Sequence, residues 1–289
     1  LRSHPRKRPT CGGWPKRWRF CSELMDLFQV RIGEGPPTVV LHGGPGADHE
    51  YLRPGFDVLA EQRTLIFYAQ RGGGRSPVPR ETAVGWHEHV SDLETLRQSW
   101  GLERLSIAGY SWGALLAMLY ATEHPERVER LALVSPAPAW REARDRFERE
   151  FARRNLDPAL QAQRADLRAS GLRETDPDAY ARRVFELSVV PYFYDASRVR
   201  SLTAFRVNGR TQQEVWSSLG DYDLRPALAR LAVPATVLYG ESDPIPRDSA
   251  EAVATALGAP FHVLPRCGHV PYVEALDAFG RILGEFLPG

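Results

Sequence analysis

The sequence is poor in cysteine and lysine, and both shortages are local. Two of the three cysteines, Cys11 and Cys21, lie in the first 24 residues. Only Cys267 remains in the rest, which excludes a disulfide scaffold or a cysteine zinc site there. A reduced, cytoplasmic setting is the expectation. Both lysines, Lys7 and Lys16, fall in the same opening segment. With Arg2, Arg6, Arg8, Arg17 and Arg19 against Glu23 alone, residues 1–24 carry +6. The whole chain carries +1, so the remainder carries −5. Nothing in that balance suggests a nucleic-acid partner. The opening segment has no apolar core of signal-peptide length. It reads as a disordered basic extension, or as sequence upstream of a true start at Met25 where the domain begins, with a basic nucleic-acid or membrane arm as the alternative. No apolar run is long enough to cross a bilayer.

What is present is alternation. The 289 residues are enough for one large domain, with or without an inserted subdomain. Strand-like pattern begins just after Met25. "TVVLHGG" from Thr38, "TLIFYAQ" from Thr64, "LSIAG" from Leu105, "LALVS" from Leu131, "ATVLYG" from Ala235 and "FHVLP" from Phe261 then read as buried strands. They lack strict polar alternation, as strands of a parallel sheet covered on both faces do. Helical patterns lie near 82–99, 112–123, 247–256 and 273–287. Such alternation predicts a mostly parallel, doubly wound α/β sheet. From 136 to 225 no core strand is evident, and apolar residues recur at helical spacing. This interval is expected to form a helical cap between core parts 25–135 and 226–289. The "GGG" at Gly72–Gly74 is a turn; no Lys-Ser/Thr pair follows to make it a phosphate loop.

Chemistry centres on Gly109-Tyr110-Ser111-Trp112-Gly113. A G-x-S-x-G that ends a strand and opens a helix is a nucleophile elbow. A Cβ at either glycine would collide with the neighbouring strand or helix. The helix also turns its positive end toward the serine. The bland alternative, a helix-capping serine, needs no partners, whereas a nucleophile needs a base. The fold requires the order Ser, acid, His. Asp243 in "GESDPIP" and His269 in "PRCGHVPY" follow the last two strands, so they share one sheet edge with Ser111. Glu241 is the weaker candidate acid. His124 reads as a surface cap and His262 as structural. His87 and His89 lack the supporting ligands of a metal site. Cys267 reads as packing. Backbone N–H groups of Trp112 and of Gly44, in "HGGPG" after the early strand, are the candidate oxyanion donors.

These motifs, with "QRGGGRS" from Gln70, resemble the α/β-hydrolase superfamily over nearly all of 25–289, and more narrowly the proline iminopeptidase family. The resemblance implies a cofactor-free, metal-free serine hydrolase acting on a small-molecule or short-peptide substrate. An aminopeptidase is the leading expectation. A carboxylesterase or lactonase, and a slow-turnover ligand-binding homologue, are the alternatives. Dehalogenase chemistry is disfavoured because the elbow residue is Ser111 rather than an aspartate. Some members hold the substrate's amine with cap glutamates. Glu214 is similar to one of these, and Glu186 is a second candidate. Tyr110 and Tyr192 complete the expected substrate-binding set. Two departures stand out: Ala69 replaces an aspartate that usually precedes Q-R-G, and Pro244 replaces a glutamate after the acid.

Overall fold

The computed structural model describes residues 27–287. The basic extension expected over 1–24 therefore lies outside the described residues. Seven strands form one sheet: β1 (Gln29–Ile32), β2 (Pro37–Leu41), β3 (Thr64–Tyr68), β4 (Leu105–Tyr110), β5 (Val128–Val134), β6 (Ala235–Gly240) and β7 (Phe261–Leu264). Their order is β1-β3-β2-β4-β5-β6-β7. Only β1 runs antiparallel, pairing Gln29 with Tyr68. The six parallel strands are the six apolar runs of the sequence.

Burial explains their composition. Every residue of β4 and of β6 is buried. Val39 and Leu41 enter one hydrophobic layer while Val40 enters the other. A strand covered on both faces has no place for polar alternation. The edge strand β1 has one covered face, and its burial alternates. Helices Trp86–Ser99, Trp112–Glu123 and Arg247–Leu257 supply the first layer through residues such as Leu93, Leu116 and Val253. Helix Leu276–Phe286 supplies the second through Phe279 and Leu283. The pattern expected near 273–287 is two helices, Pro271–Glu274 and Leu276–Phe286, interrupted at Ala275 with φ −136°.

Between β5 and β6 the described chain has helices and no strand. The longer helices are Arg141–Asn155, Pro158–Ala169, Pro177–Val189 and Gly209–Leu219. Their starts follow local chemistry. Asp157, Asp176 and Asn208 each accept backbone N–H bonds from the first turn, and Pro158 and Pro177 occupy first positions. A side-chain oxygen at such a cap satisfies donors that the helix itself leaves free, and proline there loses no bond. One antiparallel bridge, Trp140 to Asp223, ties the two ends of this insertion together. Because β2 to β7 are parallel, the loops after them open on one edge of the sheet, beneath this insertion.

Candidate active site

Ser111 sits between β4 and the buried helix Trp112–Glu123 with φ 53° and ψ −117°. A non-glycine residue held there costs about 1–3 kcal/mol, so its surroundings must impose it. They do so through the backbone. The Ser111 N–H donates to the Val134 carbonyl at 3.0 Å, and its own carbonyl accepts from Ala114, Leu115 and Ala137. The flanking glycines allow the close approach this needs. A Cβ on Gly113 would lie 2.0 Å from the Leu41 carbonyl of β2, and one on Gly109 2.5 Å from the Gly113 carbonyl.

Asp243 follows β6 in a turn closed by its N–H on the Gly240 carbonyl, 2.9 Å. Its carboxylate is buried, and Oδ1 accepts the Ile245 N–H at 2.9 Å. Glu241 is exposed instead and accepts the Arg266 N–H at 3.3 Å. His269 is fixed by its N–H on the Tyr192 carbonyl at 2.7 Å, and its ring stacks on Tyr192. His269 Nδ1 lies 2.9 Å from Asp243 Oδ2 and 3.0 Å from Oδ1. His269 Nε2 lies 3.0 Å from Ser111 Oγ. A carboxylate only accepts, so Nδ1 carries the proton and Nε2 is left as the acceptor facing the serine hydroxyl. The three groups come from residues 26 to 158 positions apart along the chain. Cys267, two residues before His269, is fully buried, and burial raises its thiol well above the ordinary cysteine range. That holds it as an inert thiol.

The loop after β2 faces the elbow. Gly44 has φ 65°, which favours glycine. Among the described residues, neither the Gly44 nor the Trp112 N–H has a protein acceptor. His42, at the start of this loop, is fully buried, and desolvation lowers its pKa to about 4. This has a consequence for stability. Between the ordinary histidine value near 6.5 and about 4, the unfolded chain binds a proton at His42 that the folded chain refuses. Stability is therefore complete above that window and falls as pH drops through it, by about 3 kcal/mol at ~1.4 kcal/mol per pK unit. Urea unfolding at pH 7.5 and pH 5 should register about 2 kcal/mol of this loss, and His42→Asn should show a shallower slope. An unchanged slope would mean that His42 protonates alike in both states.

A cavity of 870 Å³ lies over Ser111 and His269. Tyr51, Tyr110, Tyr192 and Tyr272 form part of its wall, as do Phe147, Phe151, Phe185, Phe205 and Trp216. Its charged members are Arg141, Arg144 and Glu148, all from helix Arg141–Asn155. Arg144 lies 4.2 Å over the Trp216 ring and donates to Glu148 at 2.5 Å. The Tyr272 hydroxyl is buried without a partner among the described residues.

A family model described as the alpha/beta hydrolase fold matches residues 36–276. The chain belongs to the α/β-hydrolase fold family. It is similar to a proline iminopeptidase of Heyndrickxia coagulans, 28% identical over 270 residues, covering 88% of this chain and 91% of that one. Two solved structures share the fold. A proline iminopeptidase of Mycobacterium smegmatis superposes with TM-score 0.65 at 23% identity, covering 91% of this chain and 95% of that one. An enol-lactonase of Burkholderia xenovorans LB400 superposes with TM-score 0.64 at 21% identity, covering 90% and 95%.

Within this α/β-hydrolase two expected substrate-binding residues are not where the sequence suggested. Glu214 does not line the cavity. Arg210, one turn earlier, holds its carboxylate at 2.7 Å, and the side chain is 43% exposed beside a separate surface depression. Glu186 is buried but is also turned away from the cavity. Arg183 binds it at 2.9 Å, with Arg182 at 3.4 Å. Each glutamate pairs with an arginine three or four residues away on its own helix, a contact that helical spacing makes readily. Tyr110 and Tyr192 do line the cavity. Glu148, the carboxylate that does face it, escaped the sequence reading. Its Arg144 partner at i−4 made it look like any solvated helix pair. Ala69, in place of the usual aspartate, leaves the Q-R-G loop tied by other bonds. Arg71 Nε donates to Asp92 at 2.6 Å, and the Gly72 and Ser76 N–H groups close turns.

Proposed function

We propose that the chain is a serine hydrolase that cleaves a small ester or amide with Ser111 as nucleophile, His269 as base and acid, and Asp243 as the orienting carboxylate. One observation carries this reading. An unbroken hydrogen-bonded line runs from Asp243 through His269 to Ser111 on the wall of a deep, partly open cavity. In the first step Ser111 Oγ bonds to the carbonyl carbon while His269 Nε2 takes its proton. The carbonyl electron pair moves onto oxygen, where the Gly44 and Trp112 N–H groups receive it. Collapse breaks the bond to the leaving group, which takes the proton from His269. Water, deprotonated by His269, then releases the acid and restores Ser111. Helical residues 136–225 act as the cap that roofs these steps.

The lining supports an uncharged, apolar acyl group. It is mostly aromatic and aliphatic, and its two arginines outnumber its single carboxylate. A second reading, an aminopeptidase of proline iminopeptidase type, keeps support from the named relatives. In this chain the amine would fall to Glu148 rather than Glu214. Profiling acyl esters, aminoacyl amides and N-acetylated amides separates the two. Glu148→Gln and Glu214→Gln should each stay within about two-fold of wild type on an acyl ester, because neither touches the reacting atoms. A charge-assisted bond to an amine is worth roughly 1.5–3 kcal/mol, or about 10- to 150-fold in kcat/KM. A loss of that size for Glu148→Gln, confined to substrates with a free amine, would turn the assignment to aminopeptidase.

A further inference from the structure

The buried Gln70 joins two parts of the site that are far apart in sequence. It follows β3, is fully buried, and belongs to the "QRGGGRS" motif that the proposed chemistry leaves unused. Its side-chain nitrogen donates to the His42 carbonyl at 2.9 Å. Its side-chain oxygen accepts the Trp112 indole N–H at 2.8 Å. Indole nitrogen only donates and a carbonyl only accepts, so the amide has one workable orientation. Its backbone N–H donates to His42 Nε2 at 3.1 Å.

That last bond fixes the His42 tautomer. With Nε2 accepting, Nδ1 carries the proton and donates to the Gly43 carbonyl at 3.0 Å. The Tyr51 hydroxyl donates to the same carbonyl, also at 3.0 Å. The Gly43 C=O and the Gly44 N–H belong to one planar trans peptide, so they point in opposite directions. Two donors holding the carbonyl on one side therefore aim the Gly44 N–H the other way. Gly44 and Trp112 both line the cavity beside Ser111.

We infer that Gln70 is a positioning residue that holds the Gly44 and Trp112 N–H groups at a common focus, an inference that rests on the proposed serine-hydrolase reading. It bridges the loop that carries one donor and the residue that carries the other. Acting through His42, it also orients the peptide that presents the first. Charge develops on the substrate oxygen only in the transition state, so misplacing these donors acts on turnover more than on binding.

The test uses the full chain with p-nitrophenyl butyrate and an alkyl trifluoromethyl ketone, which forms a tetrahedral adduct with a reactive serine. Gln70→Met removes both side-chain bonds at similar length. It should lower kcat about 10- to 100-fold, below the ~10²–10³-fold cost of losing a donor outright, with KM changed less than about three-fold. The ketone should weaken by the same factor as kcat, while butyrate, the product acid, should bind as before. Trp112→Phe keeps an aromatic ring but loses the indole donor together with the pyrrole part of a fully buried side chain, and should move the same readouts in the same direction; it serves as the second variant if Gln70→Met does not fold. A folded variant with kcat within two-fold of wild type overturns the inference. So does an equal loss of butyrate and ketone affinity, which would mean general collapse of the cavity. Wild-type hydrolysis that survives Ser111→Ala would overturn the underlying reading first, and this inference with it.

Discussion

Ser111→Ala is expected to lower kcat by roughly 10⁵- to 10⁶-fold, the scale seen when a serine nucleophile is removed from an intact triad. In the proposed mechanism the hydroxyl is the atom that bonds to substrate, and among the described residues the nearby thiol is no substitute for it. Cys267 is buried with its thiol protonated, and its sulfur donates to the Gly268 carbonyl at 3.4 Å. The fold should survive. Ser111 is held by backbone bonds to Val134, Ala114, Leu115 and Ala137, none of which involves the hydroxyl. Its left-handed φ of 53° is as costly for alanine as for serine. Urea unfolding should therefore agree with wild type within about 1 kcal/mol, the range of modest substitutions. Fluorophosphonate labelling, followed by peptide mass mapping, should find Ser111 modified in the wild type and nothing in the variant. Near-native turnover by a folded Ser111→Ala protein would remove the nucleophile assignment.

Asp243→Asn is expected to cost about 10⁴-fold in kcat, through the tautomer of His269 rather than through loss of charge alone. Asp243 Oδ1 accepts the Ile245 N–H at 2.9 Å. In the variant that donor keeps the amide oxygen on its side, which turns the amide NH2 toward His269 Nδ1. That NH2, at the Oδ2 position 2.9 Å from Nδ1, opposes a proton there and favours the ring with its proton at Nε2, facing Ser111 Oγ with no lone pair to take the serine proton. Glu241→Gln supplies the contrast. Among the described residues its carboxylate accepts a hydrogen bond only from the Arg266 N–H, so activity should stay within about two-fold. A severe loss at Glu241 beside a mild one at Asp243 would exchange their roles. Because the asparagine variant keeps the serine and the cavity, substrate KM should change little.

Much of the architecture was legible because its causes are local. Strands covered on both faces are mostly apolar, which marked β2 to β6, and the edge strand β7 is apolar apart from His262 although three of its four residues are half-buried. The elbow glycines are demanded because a Cβ on Gly113 would lie 2.0 Å from the backbone of β2 and one on Gly109 2.5 Å from the Gly113 carbonyl. The loops that carry Ser111, Asp243 and His269 could be named because a parallel sheet sends the ends of its strands to one edge. The break at Ala275 was not visible, since its φ of −136° answers to packing rather than to a glycine or proline at that position.

The sequence by itself determined the fold class, the strand order along the chain, the strained serine and the loops able to supply its partners. Each of these depends on short-range sterics or on hydrophobic pattern. Tertiary structure decided which polar side chains face the cavity. Glu148, Glu186 and Glu214 all sit on helices with an arginine three or four residues before them. The sequence cannot distinguish them, because the rotation of each helix against the core selects which side faces inward. It turned Glu148 toward the cavity and left Glu186 and Glu214 to their arginines. The same holds for Gln70. Its bonds run to His42, 28 residues away, and to Trp112, 42 residues away. Such distant groups meet only once three neighbouring strands have been laid in register.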